Sequence, residues 1–317
     1  MEQANNTRIT YFIVKGISDV PELQVPIFLL VLLIYLTTLA FNVTILLLVC
    51  MDHRLHTPMY FFLNNLSILD ICCSTISLHK VLITFILGDK TVSFFSCFMQ
   101  VFLFLSFTCD ELLILTAMSY DRYVAICNPL RYHAVMNYKM CSLLACVCWV
   151  LGFMDILPCL LEVLSFTCYT SMEINHFFCD LLPIIKLSCN DTTTLELYII
   201  IEGVFLATFT PLMLTIISYI YIIATILRIQ SATGRRKAFY TCSSHLTVVT
   251  LLYATLSYQY FRPPALVTLS SNKLTSLFNT AVVPILNPVI YSLKNKDVIS
   301  AYKRFSSYFK TKWQKCI

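Results

Sequence analysis

The stretch Ala117-Met118-Ser119-Tyr120-Asp121-Arg122-Tyr123-Val124-Ala125-Ile126-Cys127 decides how this chain is read. It places an acid, a base and a phenol, Asp121-Arg122-Tyr123, at the end of a long apolar run that starts near residue 97. A charge is costly inside hydrocarbon, so the pair marks where a helix leaves the membrane and carries a function there. Taken alone, Arg122 could simply snorkel its guanidinium to the lipid headgroups. The rest of the chain gives the pair a larger role.

Composition fixes the solvent. Of 317 residues, 58% are hydrophobic and 12% charged, about half the charged share of an ordinary soluble domain. Such a chain must bury more apolar surface than one globular core offers, so it is an integral membrane protein. Windows able to cross ~30 Å of hydrocarbon as helices of about 20 residues fall near 25–50, 58–80, 97–121, 140–161, 197–227, 239–261 and 273–292. They predict an all-α membrane protein: a seven-transmembrane helix bundle over 25–292, an N-terminal segment 1–24, and a tail 293–317 with a short amphipathic helix.

Orientation follows from the basic residues. With the N-terminus outside, the cytoplasmic segments hold Arg54, Arg122, Arg131, Lys139, Arg228, Arg235, Arg236, Lys237, Lys294, Lys296, Lys303, Arg304, Lys310, Lys312 and Lys315. These fifteen of the 22 Lys and Arg leave seven outside, as the positive-inside rule requires. The net charge of +5 is therefore a topology signal, and nucleic acid is not a partner. Residues 1–24 hold no apolar core of a cleaved signal peptide, which leaves the first helix as the insertion signal.

Cysteine positions agree. Cys97 opens the third helix on the outer side, and Cys168, Cys179 and Cys189 all lie in the outer connection between helices four and five. An oxidising compartment can pair these four in three ways, and the spacing does not choose among them. Cys72, Cys73, Cys146 and Cys148 read as small buried hydrophobes. Cys316 is a candidate for palmitate. Of the sequons in outer segments, Asn5-Asn6-Thr7 is the better glycan acceptor, since Asn190 adjoins a disulfide cysteine.

Several strings together resemble the odorant (olfactory) receptors of the tetrapod class, a branch of the rhodopsin-like (class A) G-protein-coupled receptors. They are Pro58-Met59-Tyr60-Phe61-Phe62-Leu63 with Asp70, the Met118–Cys127 run, His176-Phe177-Phe178-Cys179-Asp180, and Ser218-Tyr219. Lys237-Ala238-Phe239-Tyr240-Thr241-Cys242-Ser243-Ser244-His245-Leu246 and Pro284-Ile285-Leu286-Asn287-Pro288-Val289-Ile290-Tyr291 complete the set. The match covers about residues 7–305. Phe41 before Asn42, Tyr240 and Ala254 depart from the family pattern, which usually has Gly, Ser and Gly there.

The resemblance implies that Cys97 bonds Cys179 and Cys168 bonds Cys189. Phe104, Leu105, Thr108, Cys109 and Leu112 share one face of helix three by their spacing, and the resemblance turns that face toward the ligand. It adds Gly203 and Ala207 on helix five, Tyr253, Leu256, Ser257 and Tyr260 on helix six, and Leu277 and Thr280 on helix seven. Amine receptors carry Asp where Phe104 stands, and opsins carry Lys where Ala281 stands. A small, mostly apolar volatile is therefore expected in place of a biogenic amine or retinal.

Buried acids form a second set. Asp70 and Glu111 lie where the class builds a sodium or proton site with Asn42 and Asn287, since a carboxylate at membrane depth needs a cation, a proton or a network. Asp110, Asp155 and Glu202 have no intramembrane Lys or Arg to pair with; they are protonated, or one reads a polar odorant. At the cytoplasmic end, Asp121 should hold Arg122 at rest. Opening of helix six then frees Arg122, with Tyr123, Tyr219, Pro288 and Tyr291 supporting a cleft for the olfactory stimulatory G protein.

Lys294, Lys296, Lys303 and Arg304, beside Tyr302, Phe305 and Phe309, suit an anionic inner leaflet of the plasma membrane. No set of nucleophile, base and oxyanion donors appears, so no enzyme is expected, and no charged path or broken-helix repeat suggests a carrier. The rival reading is a rhodopsin-like receptor for a lipid or peptide outside olfactory tissue.

Overall fold

A computed structural model describes residues 10–260, 269–294 and 296–314. Long helices dominate: α1 (Pro21–Met51), α2 (Pro58–Leu87), α3 (Phe94–Cys127), the short α4 (Tyr132–Val135) and α5 (Tyr138–Leu164). The fifth span joins α7 (Thr193–Tyr198), a π-helical segment Ile199–Phe209 and α8 (Thr210–Leu227), after a loop helix α6 (Leu181–Leu187). The sixth is α9 (Ala232–Tyr260), and the seventh runs through α10 (Leu269–Leu277), a π-helical turn Phe278–Val282 and α11 (Val283–Lys294). A last helix, α12, covers Lys296–Gln314.

Local chemistry sets the ends. Pro21 and Pro58 sit in the first turns of α1 and α2, where the missing N–H costs nothing. Gly88 ends α2 at φ 71°, a left-handed cap that a side chain would disfavour. Ser93 caps α3 by accepting from the Ser96 N–H at 3.2 Å, and Asn137 caps α5 by accepting from Met140 N at 3.0 Å.

Six of the described helical spans are long and apolar enough to cross a membrane. The exception is α9, of sufficient length at 29 residues, whose apolar run is diluted by Ser, Thr and His245 and which starts among Arg235 and Arg236. Within the bundle, α3 is the axle: 67% of its most apolar window is buried, against 22% for α1. It packs on α2, α5, α8 and α9. At 34 residues and 1.5 Å of rise each, it is about 51 Å long and reaches both faces of the membrane.

The outer end holds a feature absent from an all-helical expectation. Three strands, β1 (Tyr11–Val14), β2 (Thr91–Ser93) and β3 (Glu173–Ile174), form a small sheet in the order β2-β1-β3. β1 runs antiparallel to β2 and parallel to β3. Phe12 is fully buried beneath it, packed on Phe94, Phe98 and Tyr169. The segment before α1 is thus part of the folded outer layer, and α1 itself starts at Pro21, four residues before the expected boundary.

Candidate functional site

Two disulfides hold the outer loop. Cys97 at the top of α3 bonds Cys179 with Cα atoms 5.4 Å apart, and Cys168 bonds Cys189 at 5.3 Å. The Cys179 N–H donates to Gln100 Oε1 at 3.0 Å, while Gln100 Nε2 donates to the Ile76 carbonyl, tying the loop to α3 and α2. His176, Phe177 and Phe178 stack into a buried aromatic plug. Burial, with Lys273 nearby, pushes the His176 imidazole down to about 3, so it stays neutral.

Below this loop lies a cavity of about 110 Å³. Leu105, Thr108, Cys109 and Leu112 of α3 line one wall, and Gly203 and Ala207 of the π-helical segment face them. Leu256 closes it from α9, and Asp155 of α5 and Glu202 bring two acids to an otherwise apolar lining.

The other expected ligand residues lie elsewhere. Phe104 turns toward the loop, its ring 5.1 Å from that of Phe178, within a cluster shared with Val31, Leu78 and Phe177. Leu277 packs against that same cluster. Thr280 is buried on the α2 side, donating to the Ser276 carbonyl while its own carbonyl accepts from Ser74. Tyr253 and Ser257 line a separate, more open cleft of about 470 Å³ between α8 and α9. The side chain of Tyr260, like Asn5 and Cys316, lies outside the described residues.

Deeper, one amide links two acids. Asn287 Nδ2 donates to Asp70 Oδ1 at 2.9 Å and to Glu111 Oε1 at 3.0 Å. Asp70 Oδ2 is buried without a hydrogen bond, so the pair lacks one partner among the described residues. Hard oxygen donors of this kind suit sodium or a proton. Asn42 stands apart, giving its amide to the Thr38 and Pro284 carbonyls at 3.1 Å.

At the far end of α3 from the sheet, Arg122 and Asp121 are paired. Arg122 Nε donates to Asp121 Oδ2 at 3.0 Å and its Nη2 bonds the same oxygen. Asp121 is fully buried, and Tyr132 of α4 donates to its other oxygen at 2.8 Å. Tyr123 packs beside this pair, with its ring 6.0 Å from Tyr221. Tyr291 is buried, three residues after Pro288 in α11.

Tyr219 already points inward, bonded to a residue that the sequence placed in a motif without a role. The carbonyl of Leu115 accepts from His245 Nε2 at 3.0 Å, which leaves Nδ1 to accept from the Tyr219 hydroxyl at 2.7 Å. His245, wholly buried, therefore clasps α3, α8 and α9 together. A histidine on an apolar helix face was the available signal.

On the tail, Arg304 donates through Nε to Asp52 Oδ2 at 2.9 Å and is paired, whereas Lys303 and Tyr302 are exposed. The Arg304 guanidinium holds the Asp52 carboxyl below its usual range.

The olfactory receptor family model matches residues 31–307. Olfactory receptor 5G9 of Mus musculus is 46% identical over 306 residues, 96% of each chain. Olfactory receptor 6C3 of Homo sapiens is 44% identical over 302 residues, covering 94% of this chain and 96% of its own.

Proposed function

Because this chain belongs to the olfactory receptor family, a family of multi-pass odorant receptors and not of enzymes, we propose that a small volatile in the 110 Å³ cavity drives it to activate the olfactory stimulatory G protein and raise cyclic AMP. The observation that carries this reading is the continuity of α3. Leu112 lines the cavity, and the Leu115 carbonyl three residues below is the one held by His245. That is about 4.5 Å along one helix axis.

A ligand that pushes on Leu112 or Leu256 therefore acts on α3 or α9, two of the three helices that His245 joins. Parting α9 from α3 strains the Tyr219–His245–Leu115 chain, and release of Arg122 from Asp121 and Tyr132 opens the inner end. Asp70, Glu111 and Asn287 would hold a sodium ion or proton; it would add the positive charge that two buried carboxyls lack. A cavity this size suits a volatile better than a peptide.

Orientation in the plasma membrane follows from the same features. The sheet joins β1 to the loop that carries both disulfide partners of the outer end, and disulfides persist on the oxidising side. That supports an extracellular N-terminus. Exposed Lys303 and Tyr302 on α12 suit contact with anionic inner-leaflet lipid. A volatile panel tested for cyclic AMP in cells supplied with the olfactory stimulatory G protein decides the coupling. A response in those cells and none in cells lacking that G protein is expected; equal responses in both would reject it.

A further inference from the structure

We infer that the cavity selects ligands that donate hydrogen bonds, best of all a small protonated primary amine, because its wall offers carboxyl acceptors and, among the described residues, no donor stronger than a cysteine thiol left to give. This rests on the odorant-receptor reading above and narrows its ligand class.

The three hydroxyls of the wall are all spent on backbone carbonyls: Thr108 donates to that of Phe104 at 2.9 Å, Thr208 to that of Gly203 at 2.7 Å and Tyr198 to that of Asp155 at 2.5 Å. The Cys109 thiol leans toward Asp155 Oδ2 at 3.9 Å. Among the described residues, no Lys, Arg, His, Asn or Gln lines the cavity. What remains is the pair of carboxyls, Asp155 from α5 and Glu202 from the fifth span, both on the wall of the same cavity.

Two carboxyls on the wall of one small cavity offer acceptor oxygens and repel one another when charged, so a cation seated between them is favoured on both counts. An aldehyde, ketone or ester brings only acceptors to such a wall and would leave polar groups unpaired. A carboxylic acid adds a like charge. An alcohol can donate once, whereas an alkylammonium donates up to three times and cancels the charge. The missing helix-three acid at Phe104 therefore does not rule out amines: acids reach the ligand from the opposite wall.

Size limits the tail. A cavity of about 150 Å³ accepts benzene, so 110 Å³ holds about five heavy atoms.

Butylamine, butanol, butanal and butanoic acid share one chain length and differ in the head, so they are the probes. Cyclic AMP is read in cells with the olfactory stimulatory G protein, and binding is read as thermal stabilisation of the purified full-length receptor. Butylamine should act at concentrations about tenfold below butanal and butanoic acid, since a charge-assisted bond is worth about 1.5–3 kcal/mol. Asp155→Asn and Glu202→Gln should each weaken butylamine by about tenfold and butanol by less than about threefold.

Butanal or butanoic acid matching butylamine would overturn the inference while leaving the receptor reading intact. So would unchanged butylamine potency in both variants at normal surface level. Glu202→Gln alone decides if Asp155→Asn fails to reach the surface. Stabilisation by butylamine without cyclic AMP would uphold the head-group selectivity and reject the coupling; stabilisation by none of the four would overturn the selectivity.

Discussion

Asp121 is satisfied on both oxygens, by Arg122 and by Tyr132, so the lock proposed above would have two parts that separate by mutation. Tyr132→Phe deletes one hydrogen bond to a charged group, about 1.5 kcal/mol, and should raise basal cyclic AMP several-fold. Asp121→Asn should raise it further, and Arg122→Ala should bind ligand yet stay silent; a quiet, well-expressed Asp121→Asn would reject the lock. Gly152 makes a different kind of point. A Cβ there would stand 2.1 Å from Asp110 Oδ1 and 3.0 Å from the Ser106 carbonyl. Gly152→Ala should cost about 1–3 kcal/mol by overpacking and lower surface expression, with Asp110→Ala in the same chain restoring part of it. In the outer loop, burial pushes the Asp180 carboxyl up to about 6 from 3.8. The folded form then binds its proton more tightly than the unfolded one, so stability falls as pH rises between those values, by at most about 3 kcal/mol. Asp180→Asn keeps the oxygen that caps Leu181 and should raise the melting temperature at pH 7.4, by a margin that shrinks toward pH 5.

At the scale of elements, apolar runs and charges made the spans legible, because a bilayer imposes one length and one polarity on every helix. The π-helical segments Ile199–Phe209 and Phe278–Val282 were not legible, since they differ from α-helix by one residue per turn and leave hydrophobicity unchanged. Nor was β1. Its four residues, Tyr-Phe-Ile-Val, pair with segments of three and two residues, too short for any alternation to register. Phe12→Ala tests whether that strand matters. It empties a fully buried aromatic site and should cost about 3–5 kcal/mol, comparable to losing the Cys97–Cys179 bridge at about 2–5 kcal/mol. Thermal unfolding of the purified receptor should show a clear drop, and an unchanged midpoint would make the sheet ornamental.

Over the whole molecule, three polar layers sit along one axle: the acid-walled cavity, the Asp70–Glu111–Asn287 cluster and the Asp121–Arg122 pair, with α3 supplying Thr108 and Cys109 to the first, Glu111 to the second and both residues of the third. The lock and cluster were legible because intramembrane charges are rare enough to be noticed one by one. The cavity was legible only in part: helical spacing put Phe104 with Leu105 and Thr108, but neighbouring residues point about 100° apart, and the loop ring of Phe178 claimed Phe104. If the middle layer holds sodium or a proton, Glu111→Gln should flatten the dependence of agonist potency on sodium and pH, since one of two charges is gone. Dose-response curves at several sodium concentrations check it, and an unaltered dependence would mean that the cluster is held by hydrogen bonds alone.

The sheet also sets a clock. Residues 11–14 meet their β3 partner only once Glu173 and Ile174 have been made, some 160 residues later in the chain. At about 5–20 residues per second the ribosome needs roughly 8–30 s to get there. Through that interval β1 lacks the partner on one of its two edges. Synonymous codons that slow or hasten translation of the first four helices should therefore change how much receptor matures, with the amino-acid sequence untouched.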